Sequence, residues 1–145
     1  MLLFLDLDGV LRRQHAALYR LEADCLAAFE DALRWIPDAE VVITSTWREV
    51  MPLPELRALF SEDLRSRIAG VTPLARLRDG HYRHREVLAY LRLHGLSDSP
   101  WIAIDDDHDH YLAGCEVLLI DPTRGFDREA ARALVTMARR IDAAS

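Results

Sequence analysis

The first ten residues constrain the fold most, because a run of large apolar side chains ends at two carboxylates. Leu2 to Leu5 is typical of a buried β-strand, and Asp6, Asp8 and Gly9 follow directly. Aspartate is depleted in strands and is costly to bury without a partner. Two aspartates at the end of a buried strand predict a cation-binding site there. An ordinary acidic loop is the alternative that this pattern alone would allow.

Short apolar runs alternate with helical patterns along the whole chain. That order is typical of α/β proteins in which helices cover both faces of a mostly parallel sheet. Ligands of such sheets bind outside the carboxyl ends of the strands. Strands are predicted at 2–5, 41–44, 70–73, 101–104 and 115–120, and helices at 22–35, 55–60, 61–67, 85–94 and 127–141.

Composition limits the class of protein. The 145 residues, half of them hydrophobic, predict one globular domain spanning 1–145. No apolar run approaches the ~20 residues that cross a bilayer, and the N-terminus carries no basic leader, so we expect a cytoplasmic protein without membrane contact. The net charge of −6 argues against nucleic-acid binding by the whole surface. Cys25 and Cys115 are expected to be buried free thiols.

Polar residues follow three of the predicted strands. Asp6 and Asp8 follow the first strand, Ser45 the second, and Asp105 and Asp106 the fourth. A parallel sheet brings these strand ends to one edge. Hard oxygen ligands favour Mg²⁺, which also recruits phosphate. Together with an arginine from the segment 76–85, these residues supply the parts for phosphoryl transfer through an aspartyl-phosphate.

The motifs and their order resemble the haloacid dehalogenase (HAD) superfamily of phosphatases. Asp6-Leu7-Asp8-Gly9-Val10 matches its first motif, DxDGV, the strand ending in Ser45 is similar to the second, and Ile104-Asp105-Asp106 to the fourth. Ser45-Thr46-Trp47-Arg48, with Gly125 before the last helix, is similar to small HAD domains of bacterial, phage and RNA-repair proteins. The resemblance implies a Rossmann-like three-layer sandwich with strand order 5-4-1-2-3 and no separate cap domain.

The resemblance also implies roles for individual residues. Asp6 would be the nucleophile and a metal ligand. Asp8 would be the general acid and base, and its backbone carbonyl would bind the metal. Ser45 would bind the phosphoryl group, a place that a neighbouring threonine, 44 or 46, could also hold. Asp105 and Asp106 would complete the Mg²⁺ site.

The third motif of the superfamily usually supplies a lysine, and this chain contains none. Arg83 and Arg85 are the candidates for the same role, because a guanidinium group forks onto phosphate oxygens. Arg83 precedes Glu86 by three residues, a spacing similar to that in smaller members of the superfamily. We therefore favour Arg83, and Arg85 is the alternative.

The acidic cluster leaves further alternatives open. Asp107 and Asp109 are also candidate metal ligands, and His108 and His110 raise the alternative of a zinc site. We rank zinc below magnesium because no third histidine or cysteine lies nearby in the sequence.

Two functions from different classes fit these patterns. The favoured one is a Mg²⁺-dependent phosphomonoester hydrolase with an open site, acting on a phosphorylated small molecule or a nucleic-acid end. The alternative is a catalytically weak HAD-like binding or regulatory module in a phage or repair context. Trp47 and Arg48 are expected to pack around the site, although an exposed Trp47 would be a candidate for stacking on a base or sugar.

Overall fold

One sheet of five parallel strands forms the centre of the computed structural model, which describes residues 1–144. The spatial order of the strands is β3-β2-β1-β4-β5. This confirms the predicted order 5-4-1-2-3, counted from the other edge. The strands are β1 (Leu2–Leu5), β2 (Glu40–Ile43), β3 (Ile68–Val71), β4 (Trp101–Asp105) and β5 (Val117–Leu119).

Helices cover both faces of the sheet, as predicted for strands without polar alternation. Leu3 and Leu5 of β1 point into the larger core cluster, which includes residues of α1 and α4. Leu2 and Phe4 point to the opposite face, where α3 contributes to a second cluster. The helices are α1 (Ala23–Arg34), α2 (Leu53–Ala58), α3 (Tyr82–Leu93) and α4 (Arg128–Ala144), with 3-10 turns at Thr46–Glu49, Glu62–Arg67 and His108–His110.

Several element boundaries differ from the prediction. Helix α3 begins at Tyr82 rather than 85, because the ion pair between Arg83 and Glu86 stabilises its first turn. The segment predicted as a helix at 61–67 is a 3-10 turn, and Ser61 does not cap it. Glu30 of α1 instead accepts hydrogen bonds from the backbone N–H and hydroxyl of Ser61, at 2.6 and 2.7 Å.

The central position of β1 determines where the polar residues meet. Its pairing with both neighbours continues past the last strand residue, since the N–H of Asp6 donates to Ile104 and the N–H of Thr44 donates to Leu5. The ends of β1, β2 and β4 therefore remain side by side. Between β1 and α1 the chain forms no helix or strand, and between β2 and α3 it forms only α2, β3 and two 3-10 turns. Neither segment is a separate cap domain.

None of the helices within residues 1–144 has the length and apolarity needed to cross a membrane.

Candidate active site

Three carboxylates converge beyond the ends of β1 and β4. Asp6, Asp105 and Asp106 each place an oxygen within 4.8 Å of the others. Asp6 and Asp105 are buried and Asp106 is half-buried. Burial and the charge of Asp105 raise the pKa of Asp6 well above its usual value. Burial and the hydrogen bond and charge of Asp105 raise the pKa of Asp106 to about 7.

These shifts show that the three negative charges are mutually unfavourable in a desolvated place. A divalent cation would remove this repulsion, and carboxylate oxygens are the ligands that Mg²⁺ prefers. The donor set of this cluster therefore fits the metal that the sequence predicts.

Gly9 permits the close approach of two of the segments that form the cluster. Its φ of +79° lies in the left-handed region that favours glycine. A Cβ atom at this position would lie 2.2 Å from Oδ2 of Asp106. The glycine of the first motif is therefore required by the position of Asp106 as well as by its own backbone conformation.

Asp8 is held through only one of its two carboxylate oxygens. Oδ1 accepts hydrogen bonds from Nε of Arg12 and from Nε1 of Trp47, both at 2.9 Å. Within residues 1–144, Oδ2 has no hydrogen-bond partner. The two hydrogen bonds thus fix the orientation of the carboxylate.

Trp47 packs beside the site as expected, and it is buried with 1% of its surface accessible. Its side chain packs in the larger core cluster and its indole N–H binds Asp8, so it does not offer an exposed face for stacking.

The sequence predicted no role for Arg12. The signal that could have found it is its spacing of four residues from Asp8.

Ser45 lies just beyond β2, on the same edge of the sheet. It is fully buried, and its hydroxyl accepts the N–H of Trp47 at 3.2 Å, capping the 3-10 turn Thr46–Glu49. Thr46, one of its alternatives, is exposed. The other, Thr44, is buried, and its hydroxyl has no partner among residues 1–144.

Arg48 fastens the segment after β2 to the rest of the site. It donates to the carbonyl oxygens of Thr44, Ser45 and Thr72 and to Glu86 at 2.5 Å. Burial lowers the pKa of this guanidinium more than the charge of Glu86 raises it.

Arg83, rather than Arg85, faces the acidic cluster. Arg83 is buried and donates to Glu86 at 2.8 Å, while its Nε has no partner within the described chain. Burial acts to lower the pKa of Arg83, but the charge of Asp6 and the hydrogen bond to Glu86 outweigh it, so the pKa is raised. Arg85 is exposed and binds the loop at Leu77 and Asp79.

Comparison with known families identifies the fold that carries this geometry. The profile of the family described as "HAD domain in Swiss Army Knife RNA repair proteins" matches residues 2–131. The chain belongs to this HAD family. A search of curated proteins gave no significant match. A search of solved structures gave none either.

The HAD domain places the remaining acidic residues outside the buried cluster. Asp107 caps the turn His108–His110 by accepting the N–H of Asp109 at 2.9 Å. Asp107, His108 and Asp109 form a separate group in which both His108 and Asp109 are exposed. Of the two histidines in the zinc alternative, His108 thus belongs to a different and more open position than the buried cluster.

His110, the second histidine of the zinc alternative, lies beside the buried cluster. Its Nδ1 lies 3.4 Å from Oδ2 of Asp105, and its Nε2 lies 3.5 Å from Asp107. The contact with Asp105 raises the pKa of His110. Only the tight turn after β4 brings this imidazole back to the carboxylate.

Proposed function

We propose that this HAD domain is a Mg²⁺-dependent phosphomonoester hydrolase that forms an aspartyl-phosphate on Asp6. The observation that carries the proposal is the buried cluster of Asp6, Asp105 and Asp106, beside which Asp8 is fixed through one oxygen. These three side chains and the backbone carbonyl of Asp8 would hold the metal. A bound Mg²⁺ would neutralise the carboxylates and polarise a phosphoryl oxygen.

The two N-terminal aspartates divide the chemistry. Oδ1 of Asp6 accepts the N–H of Leu7 at 2.9 Å, which orients the carboxylate for attack on phosphorus. As the bond from Asp6 to phosphorus forms, the bond to the leaving oxygen breaks, and Asp8 gives that oxygen a proton. Asp8 then takes a proton from the water that hydrolyses the aspartyl-phosphate. Free Asp6 and inorganic phosphate result.

Ser45 and Arg83 are the proposed ligands of the phosphoryl group. Arg83 is buried, faces Asp6 and keeps its Nε–H unpaired within the described chain, so it can donate to a phosphoryl oxygen. Ser45 stands at the edge shared by β1 and β2. Glu86 holds Arg83 and Arg48 together and thereby keeps both arginines in place.

A phosphorylated nucleic-acid end is the substrate that we favour over a small metabolite. The description of the family to which the chain belongs names RNA repair proteins. The short connections after β1 and β2 would leave room for a large substrate. We further infer a single domain and a cytoplasmic setting. Free thiols are typical of a reducing compartment; Cys25 is buried as predicted, whereas Cys115 is only half-buried.

The test is release of phosphate from p-nitrophenyl phosphate and from 3′- and 5′-phosphorylated oligonucleotides, with Mg²⁺ or with EDTA. We expect Mg²⁺-dependent turnover that Asp6→Asn abolishes. The matched control is Asp98→Asn, which removes an exposed acid from the loop before β4. Equal turnover in the wild type and Asp6→Asn would refute the proposal. Mg²⁺ binding without turnover of any substrate would instead support a binding or regulatory module.

A further inference from the structure

Tyr19 has an unusual backbone conformation for an aromatic residue. Its φ is +54°, and it is the one residue other than glycine with a positive φ among residues 1–144. Bulky side chains are rarely found in this region, and such residues cluster at functional sites. The surrounding chain must therefore hold Tyr19 in this conformation.

The loop that carries Tyr19 is anchored on both sides. Arg12 donates to the carbonyl oxygen of Ala16 at 2.6 Å, and the N–H of Gln14 donates to Pro122 at 3.0 Å. The N–H of Glu22 donates to Leu11 at 2.9 Å and closes the loop. Since Arg12 also binds Asp8, the loop is attached directly to the proposed proton donor.

The ring of Tyr19 is connected to the same proton donor through Trp47. It contacts Trp47 edge to face, with 5.5 Å between the ring centroids, and the indole of Trp47 binds Asp8. Even so, Tyr19 is 53% exposed, and Leu18 next to it is 74% exposed. A packed aromatic ring and an apolar neighbour thus remain open to solvent at this side of the site.

Asp8 defines which part of a substrate reaches this loop. A general acid protonates the leaving oxygen, so side chains around Asp8 line the side on which the leaving group lies. We propose that Tyr19 forms a base-binding subsite in which its ring stacks on the nucleobase of a nucleotide leaving group. This inference rests on the proposed phosphatase function and names the substrate class of the same site.

Arg20 favours a nucleotide strand over an aryl leaving group such as phosphotyrosine. It follows Tyr19 directly, is exposed, and has no ion-pair or hydrogen-bond partner within the described chain. A strand continues beyond its terminal nucleotide with a phosphodiester, which an arginine attracts. Aromatic stacking with an adjacent cation is the usual means of binding single-stranded nucleic acid.

The kinetic test compares two substrates that differ only by the base, adenosine 5′-monophosphate and ribose 5-phosphate, and repeats the comparison with 3′-phosphates. Stacking predicts that the wild-type kcat/KM is roughly tenfold or more higher for the nucleotide than for ribose 5-phosphate. The difference should lie in KM. Tyr19→Ala should bring the ratio close to one, and Tyr19→Phe should preserve it. Trp35→Ala, which removes an exposed aromatic from the end of α1, is the matched control and should preserve it as well.

A second measurement separates failure of the subsite from failure of the phosphatase proposal. Affinity for adenosine 5′-monophosphate is measured calorimetrically in Asp6→Asn protein with and without Tyr19→Ala. We expect Tyr19→Ala to weaken binding of adenosine 5′-monophosphate by the same factor by which it lowers the ratio of the two kcat/KM values. Equal affinities, an unchanged ratio in Tyr19→Ala, or a Tyr19-dependent preference for phosphotyrosine peptides would each overturn the subsite. Absence of turnover in the wild type would refute the phosphatase proposal, while the affinities would still decide the subsite.

Discussion

Gly9 and Asp106 come so close that there is no room for a methyl group between them. The Cβ of any other residue would lie 2.2 Å from Oδ2 of Asp106, well inside contact distance. The left-handed backbone at Gly9 adds a second requirement for glycine. The first motif and the acidic pair after β4, nearly a hundred residues apart in the chain, therefore constrain each other at one point.

We expect Gly9→Ala to displace Asp106 and to weaken Mg²⁺ binding and turnover by at least tenfold. The matched control is Gly95→Ala, because Gly95 has a φ of +66° and no atom within 4 Å of the place that a methyl group would occupy. Gly95→Ala introduces only the backbone strain of the positive φ, which lowers the free energy of unfolding by about 1 kcal/mol. Thermal unfolding and calorimetric titration with Mg²⁺ measure both effects. Equal losses in the two variants would contradict a role for the contact with Asp106.

At the level of secondary-structure elements, α3 and the turn after β2 are joined by charge rather than by apolar packing. Glu86 of α3 accepts hydrogen bonds from Arg48, Arg83 and the N–H of Ala75, at 2.5, 2.8 and 2.9 Å. The side chains of all three charged residues are nearly inaccessible. One carboxylate therefore holds two arginines, and Arg48 in turn binds the carbonyl oxygens of Thr44 and Ser45 at the end of β2.

Glu86→Gln should lower the free energy of unfolding by about 3 kcal/mol, since it removes the carboxylate that forms ion pairs with both buried guanidinium groups. Chemical denaturation measures the change. Glu49→Gln is the matched control: it removes the exposed ion pair with Arg78 and should leave stability nearly unchanged. If Glu86→Gln were as stable as this control, the three buried residues would not act as an ionic unit.

The elements were predictable to the extent that apolar runs determine them. The strands of this sheet are buried on both faces, so Leu2–Leu5 and Trp101–Ile104 stand out from the sequence alone, and family resemblance supplied their order. The partners of the site residues were not predictable in this way. Trp47 and Asp8 are 39 residues apart, and no local pattern indicates that an indole N–H will meet that carboxylate. The burial of Trp47 depends on the same tertiary packing.

The whole molecule carries a net charge of −6, and three of its carboxylates lie together in one desolvated site, those of Asp6, Asp105 and Asp106. Burial and neighbouring charge raise the folded-state pKa of Asp6 well above 3.8, and raise that of Asp106 to about 7. In the absence of a cation, the folded protein therefore binds protons more tightly than the unfolded chain. By linkage, its unfolding free energy falls as the pH rises from about 4 to about 7.

We expect the melting temperature of EDTA-treated protein to fall across this pH range and Mg²⁺ to restore it most strongly at the upper end. Thermal unfolding in matched buffers with and without Mg²⁺ measures both trends. Asp106→Asn is the control variant, because it removes one of the repelling charges and should flatten the fall in EDTA. A Mg²⁺ effect as large at pH 4 as at pH 7 would contradict the linkage.

The central position of β1 also has a consequence for the order of events during folding. Leu5 pairs with Ile43 on one side and with Ile104 on the other, so its second neighbour is synthesised about a hundred residues later. Three of the five strands, β1, β2 and β3, precede β4 in the chain and are therefore synthesised before it. Long-range pairing of this kind is slow because its loop-closure entropy is lost before the contacts form. Docking of β4 onto β1 thus brings the acidic residues together late in folding, and β5 then completes the sheet beside β4.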